Sequence, residues 1–241
     1  MDSLKKEQLS SLLILSLSLS IFWITPLGRI IFYPIDVALA FAFHSLLKIG
    51  PFTWHTFAFF NSQKGDWLFD MVVTAFFIWY CFTAKGSERG KRIIVSISML
   101  LFFFLVYHFY RYLFSRPFRF YSPSPSLVLP NFIYLSDLVS WVKIKDHSGL
   151  SFPSGHGNTI FLFWISIFLL MGKRPGFLAL LLSIPFLLPR LVVGAHWFSD
   201  YLFGSFPLAL FNLSLLFYTP FFYRMLYVED QYQEKSLQTT L

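Results

Sequence analysis

Long runs of apolar residues almost free of charge dominate this chain. Residues 8–28 carry no charged side chain, and similar runs recur at 67–84 (with Asp70 near one end), 93–110, 157–172, 175–193 and 201–223. A helix needs about 20 mostly apolar residues to cross a bilayer. Inside hydrocarbon every backbone N–H and C=O must find a partner within the protein, so only helices and closed barrels can span. Barrel strands alternate apolar and polar residues over about ten positions, whereas these runs are apolar on consecutive residues. Helices are therefore expected: an all-α, polytopic integral membrane bundle with about six transmembrane helices. Composition agrees, since 33 Phe and 56% hydrophobic residues exceed what one soluble core could hide behind 13% charged residues.

The whole chain, 1–241, reads as a single membrane domain. Residues 1–28 form an N-terminal anchor, retained because no small-residue cleavage site precedes Arg29. Residues 111–156 form the one long polar connection, which contains the Ser-Pro-Ser-Pro-Ser tract at 122–126, and 224–241 form a solvated tail. Residues 30–47 are apolar but hold Asp36 and His44 and lie among prolines, so this segment either spans or rests at the interface. The single cysteine, Cys81, excludes an intrachain disulfide and any cysteine-based metal cluster.

Basic residues mark the cytoplasmic ends of membrane helices. With six spans, Lys5, Lys6, Lys85, Arg89, Lys91, Arg92, Lys173, Arg174 and Arg224 share one side. The 111–156 connection and the segment around His196 then share the other. That second side also carries Arg111, Arg116, Arg119, Lys143, Lys145 and Arg190, for which an anionic substrate is the natural reason. The net charge of +7 comes with no solvated basic face, so nucleic acid is not expected as a partner.

Two of the six histidines stand in short polar motifs at span boundaries. His156 closes Pro153-Ser154-Gly155-His156 just before an apolar helix, where first-turn amides and the positive helix end suit phosphate. His196 and Asp200 are four residues apart, which on a helix puts them on one face. The carboxylate would fix the tautomer of the imidazole and leave its other nitrogen free as a nucleophile. Arg190 supplies a planar fork for phosphate oxygens if the helix starts late or bends.

These motifs resemble the type 2 phosphatidic acid phosphatase (PAP2) superfamily of membrane lipid phosphatases, with signatures Lys-x6-Arg-Pro, Pro-Ser-Gly-His and Ser-Arg-x5-His-x3-Asp. The second is intact; the third is present at Arg190, His196 and Asp200 with Pro189 in place of its serine. The first survives as Arg116-Pro117, with Phe109 where the family has lysine, which leaves Arg111 or Arg119 as possible replacements. The resemblance implies that His196 is the nucleophile, Asp200 its orienting partner and His156 the acid for the leaving oxygen. Arg116, Arg190, Ser154 and the Gly155 amide would hold the phosphoryl group, with no metal and no other cofactor. The layout also resembles the bacterial lipid A phosphotransferases that use undecaprenyl diphosphate. It does so through Pro34-Ile35-Asp36, residues 124–127, Ser136 and Asp137, and residues 194–200. That likeness implies an enzyme of the bacterial inner membrane, active on its periplasmic face, with a lipid phosphate or diphosphate and membrane lipids as partners.

The competing class is a transporter or structural membrane protein with a polar path lined by the same residues. Ionisable groups beside a span are costly and favour function for His156, His196 and Asp200. Asp36, Asp66 and Asp70 are read either as anchors of a supporting hydrogen bond or headgroup contact, or equally as interfacial acids with no partner requirement. His44, His55 and His108 are read as interfacial or buried hydrogen-bonded residues, and His147 as near the site. Nothing in the sequence sets an oligomeric state.

Overall fold

The computed structural model describes residues 6–109 and 122–219. Six helices run lengthwise: α1 (Lys6–Ile24), α4 (Gln63–Phe82), α5 (Ser87–Phe109), α8 (Gly155–Met171), α9 (Lys173–Val192) and α10 (Phe206–Tyr218). Between them lie α2 (Pro26–His44), α3 (Pro51–Phe60) and the single-turn helices α6 (Pro125–Val128) and α7 (Leu135–Leu138). A π-helical turn, Asp200–Ser205, leads into α10. Among the described residues there are no strands, only one isolated bridge between Ser122 and Leu150.

The bundle is apolar on its outer surface as well as within. Ile14 and Ile21 on α1, Met71 and Phe82 on α4, and Phe177 on α9 are exposed, a belt that only lipid would tolerate. Aromatic rings fill the interior, with Phe69, Phe77, Phe163, Phe186 and Phe217 in one cluster. Buried serines are satisfied within their own helices: Ser166, Ser183 and Ser214 donate to the carbonyls of Leu162, Ala179 and Leu210 at 2.6–2.7 Å. α8 packs chiefly on α9, and α1 on α10. Four segments are long and apolar enough to cross a membrane, Pro26–Ile49, Gln63–Phe82, Lys173–Val192 and Asp200–Phe217, with Leu13–Trp23 and Gly155–Met171 apolar but shorter.

α2 resolves the open reading of residues 30–47. Asp36 accepts from the Ser199 amide, and His44 bonds the Val192 carbonyl and the Ile133 amide. Just before α2, Trp23 stacks on Phe203 at 5.4 Å. All these partners lie at the end of the bundle that carries His196, so α2 lies across that end instead of running through the bundle. Its Leu27, Ile30, Ile31 and Tyr33 face outward, as on an interfacial helix. The basic connections occupy the opposite end: at 1.5 Å per residue, α8 carries the chain roughly 25 Å from Gly155 before Lys173 and Arg174 are reached.

Candidate active site

α9 ends at Val192 because Gly194 turns the chain into the left-handed region at φ 72°. A Cβ there would also lie 2.5 Å from the Phe132 ring. This break corrects the expectation that His196 and Asp200 share a helix face. His196 sits in the turn, Arg190 in the last turn of α9, and Asp200 at the start of the π-helical turn. The pairing survives by another route: Asp200 Oδ2 accepts the Trp197 amide at 2.9 Å, which holds the carboxylate 3.3 Å from His196 Nδ1. The break also brings Arg190 to the site, since helix continuation would have swung it to another face.

Ser154 is the N-cap of α8, its Oγ accepting the Gly157 amide at 3.2 Å and lying 3.2 Å from His196 Nε2. A carboxylate can only accept, so His196 carries its proton on Nδ1 toward Asp200. Nε2 is left as an acceptor for the Ser154 hydroxyl. Ser205 Oγ reaches the carbonyls of Ser154 and Asp200 at 2.8 and 3.1 Å, tying the α8 start to the π-helical turn. The two backbones approach closely: a Cβ on Gly157 would lie 2.4 Å from the Tyr201 ring. The amides of Gly155 and His156 have no acceptor within the helix, which leaves them for an anion.

Burial holds the His196 imidazole below its ordinary pKa. Asp200 opposes this through its hydrogen bond and charge, while Arg190 and Lys145 lower it further. The ring is therefore neutral, with a free lone pair, at neutral pH. Arg190 is only 9% exposed, and its Nε has no hydrogen-bond partner. A buried guanidinium atom without an acceptor is expensive and points to a missing anion.

His156 lies within electrostatic reach of both His196 and Arg190. Its Nε2 donates to the Phe186 carbonyl at 3.3 Å and its Nδ1 lies 3.5 Å from Asp66 Oδ1. Both residues border a cavity of about 460 Å³ whose walls include Phe69, Val73, Leu100 and Phe103. The structure thus brings His156, His196, Asp200, Arg190, Ser154 and Gly155 to one end of the bundle. Arg116, Arg111 and Arg119 lie outside the described residues, as do the side chain of His108 and the whole 224–241 tail.

Asp36 is 3% exposed and accepts both the amide and the hydroxyl of Ser199, at 2.9 and 2.5 Å, beside Asp200. Its hydrogen-bonding role was legible as one option; that of Ser199 was not, because nothing in a lone serine signals a partner 163 residues away. His55 accepts from Trp141 Nε1 at 2.9 Å, and His147 is exposed against Tyr134. Among the described residues no group of three His, Cys, Asp or Glu could hold a metal ion.

A helix bundle with two histidines, a carboxylate and a buried arginine gathered at one end suits the class of membrane-bound phosphatases and phosphotransferases. Residues 95–224 match the PAP2 superfamily, and the chain belongs to it. It is 30% identical over 225 residues to lipid A 1-diphosphate synthase of Escherichia coli (strain K12), covering 93% of this chain and 92% of that protein. No solved structure matches. The protein is an enzyme of the lipid phosphatase and phosphotransferase type in a membrane helix bundle.

Proposed function

We propose that the enzyme takes the terminal phosphoryl group of a lipid diphosphate, with undecaprenyl diphosphate as donor. It passes that group through a phosphohistidine at His196 to lipid A, or to water when lipid A is absent. The buried Arg190 guanidinium, its Nε without a hydrogen-bond partner, beside a neutral His196 carries this reading, because the pair suits a phosphoryl group.

In the first half-reaction the Nε2 lone pair attacks the terminal phosphorus. The bond to the bridging oxygen breaks, and His156 protonates the departing lipid monophosphate. In the second, an acceptor oxygen attacks the same phosphorus, the N–P pair returns to Nε2, and the acceptor proton passes to His156. Asp200 balances the charge that the ring gains between the two steps. Arg190, Ser154, the Gly155 amide and Arg116 hold the transferring oxygens. The cavity beside His156 and Asp66 suits the isoprenoid next to the leaving group. The relative's name supports lipid A as acceptor. The basic connections at the far end support an active site on the external face of the inner membrane.

Purified protein given terminally labelled undecaprenyl diphosphate should acquire acid-labile phosphate on histidine and pass it to lipid A when that is added. His196→Ala should abolish labelling and turnover. Full turnover in this variant, or label on a carboxylate, would refute the assignment, and transport without any label would favour a polar path.

A further inference from the structure

We infer that Lys145 reads the second phosphate of the donor and so makes the enzyme selective for lipid diphosphates over lipid monophosphates. This rests on the phosphoryl-transfer reading above.

A diphosphate head brings two anionic groups to a site whose buried cation can serve one. Arg190 lies deep, beside His196 and the first turn of α8, where the transferred group must be. The leaving phosphate lies farther out, and Lys145 is placed there by three anchors. Its carbonyl is 3.5 Å from Asn61 Nδ2, and buried Asn61 lies two residues before α4, the helix whose Asp66 meets His156. On one side, Ile144 packs into a cluster that contains Val193 and Ala195. On the other, Asp146 is 3% exposed; its Oδ2 accepts the Ser136 amide at 2.9 Å and its carbonyl the Ser126 hydroxyl at 2.8 Å. The Ser126 amide in turn donates to the Gly194 carbonyl at 3.1 Å, two residues before His196. Residue 145 is therefore clamped between the wall that carries His156 and the wall that carries His196, with its side chain exposed. Both imidazoles feel its positive charge.

An exposed ammonium on a flexible stem suits a phosphate at the mouth, where a rigid buried fork would not follow the head as it enters. The chemistry makes the consequence selective. When a diphosphate is cleaved, the leaving group is a lipid monophosphate that gains negative charge as the bridging bond breaks, and Lys145 meets that charge. When a monophosphate is cleaved, the leaving group is a lipid alcohol with no phosphate for the lysine to hold.

The test measures kcat/KM of the full chain for undecaprenyl diphosphate and undecaprenyl monophosphate in wild type, Lys145→Gln and Lys145→Arg. The glutamine variant should lose about tenfold or more on the diphosphate, the scale of one charge-assisted hydrogen bond, and less than about threefold on the monophosphate. Arginine should restore the diphosphate rate to within about threefold. In unreactive His196→Ala protein, Lys145→Gln should weaken diphosphate binding about tenfold and leave monophosphate binding in place, which also settles the matter if monophosphate turnover is too slow to measure. Equal losses on both lipids, or no loss on either, overturn the inference. Wild-type protein that cleaves neither lipid overturns the phosphoryl-transfer reading first, a separate outcome from lost selectivity.

Discussion

Replacing Asp200 with asparagine isolates the electrostatic part of the site. The substituted side chain keeps the shape of a residue with no exposed surface, and its amide oxygen can still accept the Trp197 N–H. The oxygen in the Oδ2 position then keeps both the Trp197 N–H and His196 Nδ1–H, and the NH₂ group takes the unpartnered Oδ1 position, so the tautomer is kept. What is lost is the charge that would stabilise the phosphorylated ring. At the 3.3 Å separation seen here and an effective dielectric of about 20, that attraction is ~5 kcal/mol. At 1.36 kcal/mol per decade this corresponds to a fall of roughly 10³- to 10⁴-fold in the rate of phosphohistidine formation. Rapid-quench labelling with terminally labelled lipid diphosphate reads that rate directly. Thermal unfolding in detergent should show little loss, because both contacts of the Oδ2 position are kept. A burst within about tenfold of wild type in folded protein would show that the Asp200 charge does not stabilise the phosphorylated ring.

Three other outcomes follow from the same geometry. Because burial depresses the His196 pKa, the ring stays neutral as pH falls through about 6.5, so the acid limb of phosphohistidine formation should lie below pH 6.5; a limb at or above that value contradicts the assignment. Arg190→Met should cut turnover at least about 100-fold while leaving the melting temperature equal or higher, since it removes a buried charge whose Nε is unpaired; a clear drop in melting temperature would show that the arginine is structural. Gly194→Ala should destabilise the protein by more than the roughly 1–2 kcal/mol of a left-handed backbone, because its Cβ also meets Phe132 at 2.5 Å; an unchanged melting temperature would refute this.

The motif residues were legible because each has a local signature. Pro153-Ser154-Gly155-His156 announces a helix start with free amides, and α8 begins at Gly155 with Ser154 as its cap. The four-residue spacing of His196 and Asp200 announced their pairing but gave the wrong geometry for it. A helix was expected where Gly194 breaks the chain, and the carboxylate is held by the Trp197 amide instead. Lys145 stood out only as a charge on the wrong side for topology. The position proposed for it depends on Asn61, Ser126 and Gly194, none of which is near it in sequence.

What the chain determined by itself is the solvent and the element: runs of about 20 apolar residues need lipid around them, and a backbone in lipid needs helix. It also singled out the ionisable groups beside such runs as candidates for chemistry, because they are costly to keep without use. The tertiary structure decided direction and company. α2 is apolar enough to span, yet it lies across the bundle end because Asp36 and His44 find their partners there. Arg190 faces His196 because a glycine ends the helix between them. Hydropathy and spacing are one-dimensional, whereas a buried carboxylate or imidazole takes its orientation from whichever distant backbone group satisfies it, and only the packed bundle supplies that group.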